Sequence, residues 1–460
     1  MFVNNTQQLA RRAFLKRAGH LSLAGIATPW ALNLAAMGEA AAFGATDYKA
    51  LVCVFLYGGN DYGNTIVPVD SANYAKYAAI RTGIATPLDT LAATTLSPTT
   101  GLPGGMLLAM APQLGPLKTL FDSGKLAVQL NVGPLVMPTT LAQYNARSVP
   151  LPPKLFSHND QQSAWQTSSP EGSISGWGGK MGDLALSNNT NSVFSCISVT
   201  GNSVFLAGQT AVQYQVSSNG AVPVNGVKNG LYGSSSCGAA LNALVTQAST
   251  QVFENEHAKI TARSIAAELQ VSASLASSSN LGTSFTATNP LATQLKMVAR
   301  LIAARNSLGI KRQVFFVSMG GFDLHDGLPT LHPGLLTNVG DALNSFYNAT
   351  VELGVSDKVT TFTASDFGRT LASNGDGADH GWGSHHFVLG GAVRGKQFYG
   401  TAPAVAVNGP DDVGQGRLLP STSVDQFAAT LASWFGVSST DLGLVVPNIG
   451  NYSLKNVGFV

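Results

Sequence analysis

Four segments of the chain share one pattern: YKALVCVFLYGGND (48–61), GKLAVQLNVGP (124–134), KRQVFFVSMGGFDLH (311–325) and DKVTTFTASDFG (357–368). Each is a short, mostly apolar run, rich in β-branched residues, that breaks into Gly, Asn, Asp or Ser. Apolar runs of this length fit strands covered on both faces, as in parallel sheets. Stretches with helical character lie between them, among them TLFDSG, LATQLKMVARLIAARN and PGLLTNVGDALNSFYNATVELG. Near the C-terminus SVDQFAATLASWFG sets Phe427, Leu431, Trp434 and Phe435 at helical spacing. Strand–helix alternation predicts an α/β fold with a doubly wound, mostly parallel sheet.

The middle of the chain departs from that pattern. Residues 185–240 are dense in Ser, Asn, Thr, Gly and Val, which reads as short strands and turns, and 239–278 are Ala-rich and helical in character. A Ser/Thr-rich linker then runs to Asn289. The expected organisation is a core in two parts, 46–184 and 291–460, with an inserted β/α cap over 185–290.

Ahead of the core, RRAFLKR (11–17) precedes an uncharged, weakly apolar run and the small residues EAAAFGA. A basic stretch, an apolar stretch and small residues near a cut site predict a cleavable export signal over 1–45. Arg11-Arg12 ahead of Phe14-Leu15-Lys16 match the twin-arginine type. A periplasmic or secreted product, handled by the twin-arginine machinery, is the expectation. Removing 1–45 takes away four cations and one acid, so the net charge goes from +2 to −1. The remaining chain has no basic run suited to nucleic acid. It also has no stretch near the ~20 consecutive apolar residues that span a bilayer. An oxidising compartment permits a Cys196–Cys237 disulfide, and no Cys/His spacing marks a zinc finger or haem site.

In an open α/β sheet, ligands bind at the carboxyl ends of the strands, so the polar residues that follow each run are candidates for one shared site. Asn60 and Asp61 follow the first; Asp323, His325 and Asp326 follow the run at 313–318. Ser365 and Asp366 follow the run at 359–364, and a glycine-rich loop then carries Asp379, His380, His385 and His386. Asp/His sets of this kind suit zinc, manganese, magnesium or calcium according to ligand number. Asp376, between two glycines, reads as a turn residue, and neither His257 nor His332 is assigned a role. A further segment, KLFSHNDQQSAWQ (154–166), puts Ser157 at a helix start. There it is either an N-cap or, facing free N–H groups and a positive dipole end, a nucleophile toward an anionic ester. His158, Asn159 and Asn60 are the candidate substrate contacts, and Arg369 is a candidate for steadying the anionic group or for a structural salt bridge.

The leader, LYGGNDYGNTIVP, LFSHNDQQSAWQ with GWGGKMGD, MGGFDLHDG, ASDFGRTLASNGDGADHGW, LGGAVRGKQFYG and VDQFAATLASWFGV together resemble the bacterial exported family catalogued as domain of unknown function 1501. That family is similar to the alkaline phosphatase-like superfamily of phosphatases, sulfatases and phosphodiesterases. The resemblance implies metal ligands at Asp61, Asp323, His325 and Asp366, with one of His380, His385 and His386, and a nucleophile at Ser157. It also implies a divalent-metal-dependent hydrolase of small-molecule or polymer-borne phosphate or sulfate esters, with zinc, manganese or calcium as the ion. Phe367 stands where the superfamily's second metal site takes a histidine, which puts a two-metal site in doubt, and no sulfatase-type Cys motif is present. The competing expectation is a non-catalytic exported binding or assembly protein on the same fold.

Overall fold

A computed structural model describes residues 45–278 and 280–460. The predicted export signal, apart from Ala45, lies outside the described residues. The long strands are β1 (Lys49–Leu56), β4 (Leu126–Gly133), β8 (Arg312–Met319), β9 (Val359–Ser365) and β12 (Ser384–Gly390). Shorter ones are β2 (Ile66–Pro68), β3 (Leu108–Met110), β5 (Cys196–Ser198), β6 (Tyr214–Ser217), β7 (Gly220–Ala221), β10 (Arg369–Ser373), β11 (Ala378–His380), β13 (Phe398–Tyr399) and β14 (Thr422–Ser423). Ten strands form one sheet in the order β13-β4-β12-β9-β1-β8-β5-β6-β7, with β14 also pairing β4.

The sheet is doubly wound and mostly parallel. β1 lies parallel to both β8 and β9, and β5 continues the parallel run beside β8. Both faces of β1 are covered. Ala50, Val52, Val54 and Leu56 join one apolar cluster, while Leu51, Cys53 and Phe55 join the other. That two-sided burial is why the run reads as continuous apolar sequence. Helices α4 (Pro290–Ala303) and α5 (Leu328–Glu352) pack on the first face, whereas α2 (Trp177–Ala185) and α6 (Val424–Phe435) pack on the second.

Three readings of the sequence change. β12 runs antiparallel between β4 and β9, so the region read as a single glycine-rich loop contains a buried strand. The segment 185–290 supplies β5, β6 and β7 to one edge of the central sheet as well as the long helix α3 (Val252–Ser277). The Cys196–Cys237 disulfide does not form: Cys196 is buried in β5, Cys237 is exposed, and both are free thiols. No helix among the described residues is long and apolar enough to cross a membrane.

Candidate metal centre

Beyond the carboxyl ends of β8 and β9 the chain delivers Asp323, His325 and Asp366, and the β10–β11 hairpin returns Arg369, Asp379 and His380 to the same place. Helix α1 (His158–Thr167) adds His158 from its first turn. Gly58, just after β1, lets these loops approach. At its φ of +115° a Cβ would sit 2.3 Å from the Asp323 backbone nitrogen. Glycine alone tolerates both the conformation and the contact.

The imidazoles are oriented by their Nδ1 atoms. His158 Nδ1 is 2.7 Å from Asp366 Oδ2, His380 Nδ1 is 2.8 Å from the Phe156 carbonyl, and His325 Nδ1 is 3.2 Å from Asp379 Oδ1. The carbonyl, and each carboxylate when ionised, only accept. The carbonyl therefore places the His380 proton on Nδ1. In His158 and His325, which face a carboxylate from both nitrogens, a cation taken up through Nε2 would leave the proton on Nδ1. The three Nε2 atoms converge on Asp323. His158 Nε2 lies 3.4 Å from Oδ2, and His325 and His380 Nε2 lie 3.2 and 3.3 Å from Oδ1. His325 and His380 Nε2 are only 2.9 Å apart.

Lone pairs and a carboxylate facing one another repel unless a cation or an added proton lies between them. Histidine ligands held through Nδ1 by a carboxylate or carbonyl are also the usual outer arrangement of a metal site. His158, Asp323 and His380 offer ligand atoms that all lie within 4.8 Å of one another. The residues present thus fit a divalent cation, with His325 at the margin. A set dominated by imidazole suits zinc or manganese better than calcium, which takes oxygen ligands.

Electrostatics follow from the packing. The Asp366 hydrogen bond raises the His158 pKa. Desolvation lowers that of His380. Burial alone would raise Asp323, but the hydrogen bond and charge of Arg369, with His158 and His325, hold it below the usual carboxylate range. Asp379 is likewise pulled down against its desolvation by Asn374 and His325.

The other predicted residues lie elsewhere or do other work. Asp61 does not join the cluster: its carboxylate is buried against Arg81 at 2.5 Å, an ion pair closed off from solvent. Asn60 spends its side chain on Thr65 and His332. His385 and His386 are buried in β12. His385 Nδ1 accepts the Asn131 N–H at 3.0 Å, and the His386 ring packs edge-on against Trp165. Burial pushes the pKa values of His385 and His386 down to about 4 and about 3. Both rings are neutral structural groups, removed from the centre because the strand takes them into the sheet.

Arg369 is fully buried and directs its guanidinium to Asp323, Gly58 and Ala378. It therefore positions Asp323 and has no free face for an anion. Asp366 holds His158 through one oxygen, while its other oxygen is buried without a hydrogen-bond partner. Ser157 precedes α1 but makes no cap bond; its hydroxyl donates to Asp160 Oδ2 at 2.9 Å. Asn159 is exposed. Phe367 is fully buried, with its ring 4.9 Å from that of His158 and 4.7 Å from that of His380.

The sequence reading had His158 as a substrate contact and overlooked Gln162, whose amide donates to Asp366 at 2.8 Å. The i,i+4 spacing of His158 and Gln162 on one helix face was the available signal.

A search of curated proteins finds no match. Among solved structures, the chain is similar to the lipoteichoic acid synthase LtaP from Listeria monocytogenes, with a TM-score of 0.33 and 9% identity over 86% of this chain and 74% of that one. Ps i-CgsB, solved with a neocarrahexaose, gives 0.34 and 9% over 87% and 74%. A protein from a glycosaminoglycan-metabolism locus of Bacteroides thetaiotaomicron gives 0.34 and 10% over 88% and 74%. In sequence, residues 48–443 match the profile described as "Protein of unknown function (DUF1501)". The chain belongs to that family.

Proposed function

We propose that the chain is an exported, metal-dependent hydrolase of phosphate or sulfate esters, its cation held by His158, Asp323 and His380 with His325 beside them. One arrangement carries the reading: three imidazole Nε2 atoms turned onto one carboxylate, each ring anchored through Nδ1. When bound, a divalent cation polarises the ester and offsets negative charge that develops during attack. The protein's own residues supply the rest. Ser157 stands one residue before His158, and Asp160 at 2.9 Å is placed to take its hydroxyl proton as Oγ attacks phosphorus or sulfur. The bond to the ester's alcohol oxygen breaks, the alcohol leaves with a proton, and a water then cleaves the serine ester to release phosphate or sulfate. Asp366 and Gln162 keep the His158 ring in register, and Arg369 keeps Asp323 turned inward. Arg11-Arg12 support export by the twin-arginine route.

The test combines metal analysis of protein purified through its own export route with a panel of aryl phosphates, phosphodiesters and aryl sulfates. The expected result is about one zinc or manganese per chain and turnover that Ser157→Ala abolishes without metal loss. Phe367, at the position where the resemblance implies a second-site histidine, favours a second reading: a one-ion binding protein. A metal-loaded protein inert across the panel, with Ser157→Ala unchanged in every assay, would establish it.

A further inference from the structure

Immediately upstream of Ser157 the chain forms an open cleft, of about 570 Å³, walled by Tyr144, Asn145, Arg147, Leu151, Pro152 and Lys154. That size suits an organic ligand rather than a bare ion. The cleft is joined to the candidate centre. Its wall continues from Lys154 through Leu155 into Phe156, whose carbonyl orients His380. Lys154 Nζ is 3.9 Å from Asp160 Oδ1, and the other oxygen of that carboxylate accepts the Ser157 hydroxyl.

The wall is also strained. Arg147, Lys154 and Phe156 have φ of 50°, 44° and 72°. Non-glycine residues held in this region gather at ligand sites. The turn is held in place by Arg417, whose guanidinium lies 4.9 Å over the Phe156 ring and whose Nε donates to the His380 carbonyl at 2.8 Å.

The chemistry of the wall is mixed in a specific way. Only 11% of the chain is charged, yet this one cleft has two cations on its wall. Among the described residues Arg147 makes no ion pair, and the two contacts of Lys154, to Asp160 and Glu171, are long at 3.9 and 3.8 Å. A guanidinium and an ammonium match a sulfate or phosphate group. Tyr144 offers a ring face with a polar tip, and Asn145 offers both donor and acceptor. That combination suits a sugar, which has apolar ring faces edged by hydroxyls.

We infer that the cleft binds the portion of the substrate beyond the scissile ester, and that this substrate is a carbohydrate chain bearing anionic ester groups on neighbouring sugars. Arg147 and Lys154 hold a second anionic group while a sugar ring lies along Tyr144 and Asn145. The inference rests on the ester-hydrolase reading for the word substrate, but the binding can be measured without turnover.

The experiment measures binding of short dextran sulfate chains, neutral dextran of the same length and inorganic polyphosphate to the full, metal-loaded protein at fixed salt. Dextran sulfate should bind at least tenfold more tightly than either comparison polymer. Arg147→Gln, Lys154→Gln and Tyr144→Ala should each weaken it several-fold while leaving metal content unchanged. Equal affinity for dextran and dextran sulfate overturns the inference, as does equal affinity for polyphosphate, which would reduce the cleft to bare charge. So do variants that bind as wild type. His380→Ala separates the two readings. If it loses metal yet retains dextran sulfate binding, the cleft stands independently. A cleft that binds dextran sulfate in a protein inert toward every ester keeps the site for an anionic carbohydrate chain and overturns its role beside a scissile ester.

Discussion

His158, His325 and His380 surround Asp323 at a partly open site, whereas Asp61, His332, His385 and His386 are sealed in the interior nearby. The residue types are the same. What differs is how each group's polar atoms are satisfied. One Asp61 oxygen is answered by a buried guanidinium, His332 by Asn60 and His385 by a backbone N–H, while the other Asp61 oxygen and His386 Nε2 are buried without a hydrogen-bond partner. The open set keeps three imidazole Nε2 atoms and a carboxylate turned to one spot, each ring anchored through Nδ1 to a fixed acceptor. A histidine is therefore read for chemistry by where its second nitrogen points, and a cluster along the sequence does not decide it.

The sharpest way to break this contrast is to remove Arg81. Arg81→Met leaves the Asp61 carboxylate buried without its partner, which costs on the order of 3–5 kcal/mol. Urea unfolding should show that loss, while the folded fraction retains its metal. Adding Asp61→Asn should recover much of the stability, because replacing both members of a buried pair is far milder than orphaning one. Metal loss in Arg81→Met that tracks its destabilisation would merge the two regions.

The converse substitution acts on affinity. Changes to groups that merely orient a ligand cost roughly 10–100-fold in metal affinity. His380→Ala, which removes one of the proposed ligand atoms, should cost at least about 100-fold, read by competition with a chelator. His386→Ala should lower stability and leave affinity within a factor of about two. Equal metal loss in both variants would place His386 in the centre after all.

Acid sharpens the comparison further. Burial pushes the pKa values of His332, His385 and His386 to about 4, about 4 and about 3. Above pH ~6.5, the ordinary histidine value, neither the folded nor the unfolded state protonates these rings, so their linkage is flat. As pH falls from there toward 4 the unfolded chain takes up protons that the folded chain refuses. Stability should then drop by up to ~1.4 kcal/mol per pH unit for each ring. Measured on metal-free protein, His332→Asn should flatten the stability profile by about that slope. An unchanged slope would mean that the ring already titrates normally in the folded state.

Much of the fold was legible because the strand signal is local: β1, β4, β8 and β9 each fall within an apolar run that two-sided burial explains. β12 was not legible, because SHHFVLG opens with two histidines and follows a glycine-rich turn. Only pairing with β4 and β9, residues distant in the chain, makes it a strand. In the candidate site, Asp323, His325, Asp366 and His380 were visible as residues that follow strands. The separation of Asp61 was invisible, since its partner Arg81 sits twenty positions on with no motif between them. His158 was visible as a candidate substrate contact, but its place among the candidate ion ligands was not. Its Nδ1 bond to Asp366 spans 208 residues, and no sequence spacing could show which nitrogen it frees.

The smallest expected effect separates two serines that the sequence presents alike, each just ahead of a helix. Ser423 accepts the Gln426 N–H at 3.0 Å and shares a reciprocal capping box with the Gln426 side chain. Ser423→Ala should therefore cost ~1 kcal/mol, the usual worth of such a cap. Ser157 is also an N-cap residue by position, but its hydroxyl donates to the Asp160 carboxylate and accepts nothing from the helix. With no helix N–H relying on that oxygen, Ser157→Ala should change stability by only a few tenths of a kcal/mol. Thermal unfolding of the two alanine variants in the same buffer reads the difference directly. A helix start that leaves its cap bond unmade and turns the hydroxyl to an acid, one residue before His158, is consistent with the proposed nucleophile. If Ser157→Ala instead loses as much stability as Ser423→Ala, the hydroxyl is structural, and attack on the ester has to come from a solvent water held at the same centre.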